Sequence, residues 1–272
     1  METKTIHHEI TFSAPPQEVF EALMNDKKHA AFSGAPAQID RKAGGKFTCY
    51  GGHLAGTTVE LKENERIVQG CRGENWPKGH YSRVTFTLTP LAQGQNTLLS
   101  FAQTDVPADH FEEINKGWHT HYWLKMAAYF REQKVSVVRR FMEEFKNKAN
   151  LDIVDELFTP DFVLHLPGTT LPPGPQSQRG VGKAIFDAFS DVHVTVNDTI
   201  VEGDRVVERH TARARHTGTF NGISATGRDV FWTENHIYRL RDGKIAETWS
   251  EISFHDLMAQ ISSKTVLSRK AS

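Results

Sequence analysis

Apolar and polar residues alternate from Ile6 to Phe12, which predicts a strand, and then the period changes. Ser13-Ala14-Pro15-Pro16 predicts a helix start, with Ser13 placed as a cap and proline in the first turn. Val19, Phe20, Leu23 and Met24 carry that helix on. Between Gly44 and Phe101 the period returns to two. Strands are predicted at 46–50, 56–61, 66–71, 81–89 and 97–103, punctuated by Gly51-Gly52 and Gln93-Gly94-Gln95-Asn96.

Neither proline nor glycine occurs between Trp118 and Asn150. Trp118, Tyr122, Met126 and Phe130, then Val137, Val138, Phe141, Met142 and Phe145, recur at helical spacing. The polar patch Arg131-Glu132-Gln133-Lys134 interrupts this run, and no Gly/Ser linker does. It divides the chain into two domains, 1–133 and 134–272. The second half again runs from helix to sheet. Helical patterns cover 135–158 and 180–190, with Leu171-Pro172-Pro173-Gly174-Pro175 between them. Strands follow at 193–202, 205–216, 229–240 and 244–253, and a short helix at 255–261 closes the domain. Glu202-Gly203-Asp204 and Arg241-Asp242-Gly243 read as hairpin turns. The expected class is α+β in both halves.

Composition narrows the function. A net charge of −1 gives no basic excess for nucleic acid. No apolar run reaches the roughly 20 residues that span a bilayer, and the N-terminus has no apolar signal core. Two cysteines, Cys49 and Cys71, lie in predicted strands and read as buried thiols, which fits a reducing cytoplasm. His119 and His121 are two apart on a helix and do not share a face. No HExxH or CxxC pattern is present, so no metal is expected.

Several motifs in the first half resemble the C-terminal domain of the activator of the 90-kDa heat-shock protein ATPase, a START-like, Bet v 1-like helix-grip fold (SRPBCC). They are Ala43-Gly44-Gly45-Lys46-Phe47, Gly56 with Val59-Glu60-Leu61, Trp76 through Ser82, and Gly117-Trp118. The second half resembles the SnoaL-like polyketide cyclases, or ester cyclases, of the nuclear-transport-factor-2-like fold. The matching stretches are Glu202 through Val207, His216 through Ile223, Thr226-Gly227-Arg228 and Tyr238 through Trp249. The resemblance implies a helix-grip domain followed by a cone-shaped α+β barrel, each around an apolar cavity, and association as a homodimer. It also implies cofactor-independent acid–base chemistry such as aldol cyclisation. A non-catalytic binder of hydrophobic metabolites or lipids is the competing reading. The activator's chaperone-engaging N-terminal domain has no counterpart here, which argues against a chaperone partner.

Strand alternation proposes the site. Val230, Trp232, Glu234, His236 and Tyr238 share one face, and Ile245, Glu247, Trp249, Glu251 and Ser253 share another. Both faces mix aromatic with titratable side chains, as a ligand pocket does. The resemblance places a catalytic Asp on the last strand. This chain has none there, and Glu251 stands nearest. Glu251 is therefore the expected base and His236 its partner, with Trp232, Glu234, Tyr238, Trp249 and His165 around the ligand. His210 and His216 are expected at a sheet edge or surface. Trp76 and Trp118 are expected as packing anchors, and Tyr50, His53 and His80 are within possible reach of the first cavity.

Overall fold

The computed structural model describes residues 1–262, so the last ten positions of the second predicted domain, 263–272, lie outside the described residues. The backbone divides into two compact units, Met1–Glu132 and Gln133–Ser272. No helix among the described residues is long and apolar enough to cross a membrane.

The first unit opens with β1 (Thr3–Phe12), α1 (Pro16–Met24) and α2 (Asp26–Ser33). Pro15, not Ser13, is the cap residue of α1: its extended backbone turns the chain, and proline in the first turn has no N–H to leave unpaired. Asn25 caps α2 by accepting from the Lys28 N–H, and Gly34 in the left-handed region ends it. Then come β2 (Ala37–Ile39), β3 (Lys46–Cys49), β4 (Leu54–Lys62), β5 (Arg66–Gly73), β6 (Ser82–Leu91) and β7 (Asn96–Pro107). They form an antiparallel sheet in the order β1-β7-β6-β5-β4-β3-β2. The inward residues of these strands, Ile67, Val84, Phe86, Leu99 and Phe101, pack with Val19, Phe20 and Met24 of α1. Each such side chain contributes roughly 1.5–3 kcal/mol on burial. A helical run closes the unit: α3 (Phe111–Gly117), a π-helical segment over Trp118–Trp123, and α4 (Leu124–Phe141), within which the division between the units falls.

The second unit continues with a further π-helical segment, Met142–Asn147, then α5 (Ile153–Leu157), β8 (Phe158–Leu166), β9 (Thr169–Thr170) and α6 (Pro175–Ala188). Four long strands follow: β10 (Phe189–Glu202), β11 (Arg205–His216), β12 (Asp229–Arg241) and β13 (Lys244–Ile252). The last element is α7 (Phe254–Ser262). Sheet order is β10-β11-β12-β13-β8-β9, with β8 parallel to β13. The turn at Asp242-Gly243 has positive φ at both residues, which a tight two-residue hairpin requires. The cone-shaped α+β barrel that the resemblance implies is built here on an open sheet. Its outer strands β10 and β9 do not pair, β9 is two residues long, and α6 packs on both β8 and β10. The segment 158–166, for which no strand is predicted, is one because Phe158, Phe162 and Leu164 enter the core on the sheet's inner face.

Candidate functional site

In the second unit the inner face of the sheet and the helices enclose a cavity of about 90 Å³. Trp232, Glu234, His236 and Tyr238 reach it from β12, Thr248 and Ser250 from β13, and Lys146 from the π-helical segment. Leu164, Ile185 and Phe220 supply apolar wall.

Glu234 is the centre of a buried polar network. Its Oε1 accepts from the Trp232 indole N–H at 2.5 Å. Its Oε2 accepts from Lys146 Nζ at 2.9 Å and from His236 Nε2 at 2.7 Å. With Nε2 donating, His236 Nδ1 accepts from the Ser250 hydroxyl at 2.8 Å. Burial alone would push the Glu234 carboxyl up. The Lys146 charge and the adjacent His210 and His236 outweigh it and hold the carboxyl well below its usual range. Burial lowers His236 to about 4, against the pull of Glu234, so its imidazole is neutral.

His210 lies behind this pair, stacked on His236 at 5.1 Å between ring centres. Its Nε2 is 3.1 Å from Glu234 Oε2 and its Nδ1 is 3.6 Å from Glu208 Oε2. Burial lowers its pKa, but the two carboxylates more than reverse this and raise it. The expected edge position is corrected: β11 lies between β10 and β12, and His210 and His216 are both fully buried.

His210, Glu234 and His236 each bring a possible metal-ligating atom within 4.8 Å of the others, a grouping on neighbouring strands that no short motif reveals. The Lys146 ammonium already sits on the shared Glu234 oxygen, and both His236 nitrogens are engaged. A divalent ion would have to displace that cation, so the donor set fits a proton network better than a metal.

Two hydroxyls on the cavity wall lack a hydrogen-bond partner among the described residues. Tyr238 and Thr248 face each other across β12 and β13, are 1% and 2% exposed, and leave Oη and Oγ1 unpaired. Burial, with Glu208 and Glu234 nearby, raises the Tyr238 phenol well above its usual pKa, so it stays a donor.

Three expected site residues lie on the other face of the sheet. Glu251 is exposed and opposes Asn235. Trp249 stacks on His165 at 5.2 Å, and Arg205 lies over the Trp249 ring. His165 and Arg239 both bind Glu247, at 2.8 and 2.9 Å. The cause is a bulge. Leu240 pairs with Ile245 but Arg239 pairs with Glu247, so Ala246 is an extra residue on β13. One inserted residue exchanges the faces beyond it, turning Thr248 and Ser250 inward and Trp249 and Glu251 outward. Glu251 therefore cannot reach the cavity as its base, and Trp249 and His165 do not line it.

In the first unit a larger cleft of about 900 Å³ opens beside the π-helical segment. Trp76 and Trp118 are 6% exposed, and both line it together with Tyr50 and His53; His80 instead binds the Asp105 carbonyl at 2.7 Å. Cys49 and Cys71 are buried free thiols, pushed up to about 12 and about 11 by burial.

An open sheet folded with helices around an apolar cavity that holds a few converging polar groups is the make-up of a small-molecule module. Residues 13–131 match the family of "Activator of Hsp90 ATPase homolog 1-like protein", and residues 136–261 match "SnoaL-like polyketide cyclase". The first half of the chain is thus an activator-homologue-like domain and the second a SnoaL-like domain. A curated activator homologue of Dictyostelium discoideum is 34% identical over 43% of this chain and 30% of its own length. The human activator homolog 1 is 31% identical over 42% of this chain and 33% of its own. The chain spans about a third of the length of these curated relatives. Among solved structures, IdmH from Streptomyces antibioticus is 32% identical, with a TM-score of 0.43, over 48% of this chain and 99% of that one.

Proposed function

We propose that the second module binds a small, largely apolar carbonyl compound and moves a proton next to the carbonyl without a cofactor. The observation behind this reading is the pair of unpartnered buried hydroxyls, Tyr238 and Thr248, in the same cavity as Glu234 and His236. A buried hydroxyl without a partner costs about 1–3 kcal/mol, which a ligand oxygen would recover. In the proposed step, Glu234 takes a proton from the carbon beside the carbonyl. The C–H electron pair becomes the enolate double bond, and the charge reaches the oxygen held by the Tyr238 and Thr248 hydroxyls. His236, fixed by Ser250, orients the carboxylate. For Glu234 to act as base, Lys146 must move off it, because a carboxyl held so low is a weak acceptor. At about 90 Å³ the cavity is well short of the roughly 300–1,000 Å³ of a drug-sized site. It suits the reacting end of a substrate, not a whole polycyclic skeleton.

The saturation of Glu234 by three donors favours a second reading, a binder without chemistry. Deuterium exchange at the α-carbon separates the two. A panel of small aliphatic and aryl ketones in D₂O is followed by proton NMR with the full chain. The first reading expects exchange with at least one ketone, slowed about 10²-fold or more by Glu234→Gln. It expects Tyr238→Phe to slow exchange too, and Glu251→Gln to leave it unchanged. Exchange at the buffer rate throughout the panel, with ketones still binding, would leave the binder. A chaperone partner draws support from the kinship of the first half alone.

A further inference from the structure

The first module's cleft is ten times larger than the cavity of the second and takes no part in the proton chemistry above. Its 900 Å³ lies in the range of sites that hold a drug-sized molecule. Trp76, Trp118, Tyr122, Tyr50, Leu54 and Ile114 line it. Three of the four polar tips among them, those of Trp118, Tyr50 and Tyr122, are already engaged. The Trp118 indole N–H donates to Gln103 Oε1 at 2.6 Å, and the Gln103 amide donates to Ser82. The Tyr50 hydroxyl donates to the His121 carbonyl at 2.8 Å, and the Tyr122 hydroxyl is 3.2 Å from His29 Nε2. Apart from the Trp76 indole N–H, these side chains therefore present carbon to a ligand.

Trp118, Thr120, His121 and Tyr122 all come from the π-helical segment Trp118–Trp123. Such segments are rare and recur at functional sites.

The charged rim is uneven. Lys125 is half-buried at the cleft and gives one donor to the Ser33 carbonyl at 2.5 Å. Among the described residues it has no carboxylate partner, so two of its three N–H donors are left over. Lys116 lies on the same rim, also without an ion pair among the described residues. Of the rim carboxylates, Glu74 is hydrogen-bonded to His53 at 2.8 Å, and Glu113 is exposed and has no ion pair among the described residues. The rim thus carries two ammonium groups and two carboxylates, but Lys116, Glu74 and Glu113 are exposed and screened by solvent, whereas the Lys125 ammonium is half-buried beside the apolar floor.

We propose that this cleft binds an amphipathic organic anion, an apolar body bearing one carboxylate, with the carboxylate on Lys125 and the body along Trp118 and Tyr122. The test uses the full chain, isothermal titration calorimetry and two probes below their micelle concentrations: dodecanoate, and dodecyltrimethylammonium as the same chain with a cationic head. Two variants accompany them. Lys125→Gln removes the charge. Gly117→Leu adds bulk to the cleft wall at a helical position where an added Cβ meets nothing nearer than 4.0 Å. Thermal melts confirm that both variants fold. Dodecanoate is expected to bind at one site per chain and at least tenfold more tightly than the cation. Its affinity is expected to fall at least fivefold in Lys125→Gln and at least tenfold in Gly117→Leu. No dodecanoate binding, or equal affinity for the two probes, overturns the proposal. So does a Lys125→Gln affinity within twofold of the parent. Binding unaffected by Gly117→Leu overturns the location.

Discussion

Replacing Lys146 by Met isolates the charge at the centre of the second module, because the methionine keeps most of the apolar stem and loses the ammonium. At 2.9 Å and an effective dielectric near 20, the attraction between Lys146 and Glu234 is about 6 kcal/mol before desolvation. That full amount is not what the variant loses. A carboxyl stripped of its cation in this site takes up a proton instead, and from the ordinary value of 4.5 this costs about 3 kcal/mol at pH 7. The expected destabilisation is therefore about 3 kcal/mol at pH 7, capped by protonation. Its pH dependence follows from the sign of the shift. In the parent the Glu234 carboxyl is depressed, so its contribution is present above 4.5 and lost as pH falls through the folded value. In the variant the carboxyl titrates higher, so the gap between the two proteins narrows by about 1.4 kcal/mol per pH unit on acidification toward 4.5. Urea unfolding followed by circular dichroism from pH 5 to 8 measures this gap. Adding Glu234→Gln to the variant is expected to recover most of the loss at pH 7, since no charge is left to bury. A loss below about 1 kcal/mol at pH 8, or one that does not change with pH, would refute the reasoning. So would a double variant no more stable than the single one.

Two further outcomes are expected. Burial lowers His29 in the first module to about 4, so it is neutral when folded, and stability falls as pH drops from 6.5 to that value. The loss is about 3 kcal/mol, and His29→Leu should remove it, as acid titration of urea midpoints for the two proteins would show. The outer face of the second sheet, where Phe231 is 48% exposed beside Thr233 and Arg213, is the expected contact of a homodimer. Light scattering at micromolar concentration should then give twice the 30.7 kDa chain mass, and Phe231→Glu should return it to the single-chain value.

Much of the architecture was legible because it depends on local periodicity. Alternation marked most of the long strands, and helical spacing marked the run from Trp118. It also put Trp232, Glu234, His236 and Tyr238 on one face, the face that lines the cavity. β8 was hidden: Pro160, exposed between the inward residues Phe158 and Phe162, breaks the alternation that marks a strand.

The site itself needed the tertiary structure, for two physical reasons. Ala246, the extra residue on β13, exchanged the faces of that strand, and nothing in the local sequence distinguishes a bulge from regular alternation. Glu251, Trp249 and His165 consequently belong to the outer surface, and Thr248 and Ser250 belong to the cavity. The second reason is distance along the chain. Lys146 meets Glu234 across 88 positions, and His210 reaches the same carboxylate from the neighbouring strand. Only folding brings these charges together. Sequence determined which residue types each strand presents; the register of β11, β12 and β13, and the π-helical segment that carries Lys146, decided which of them share a proton network.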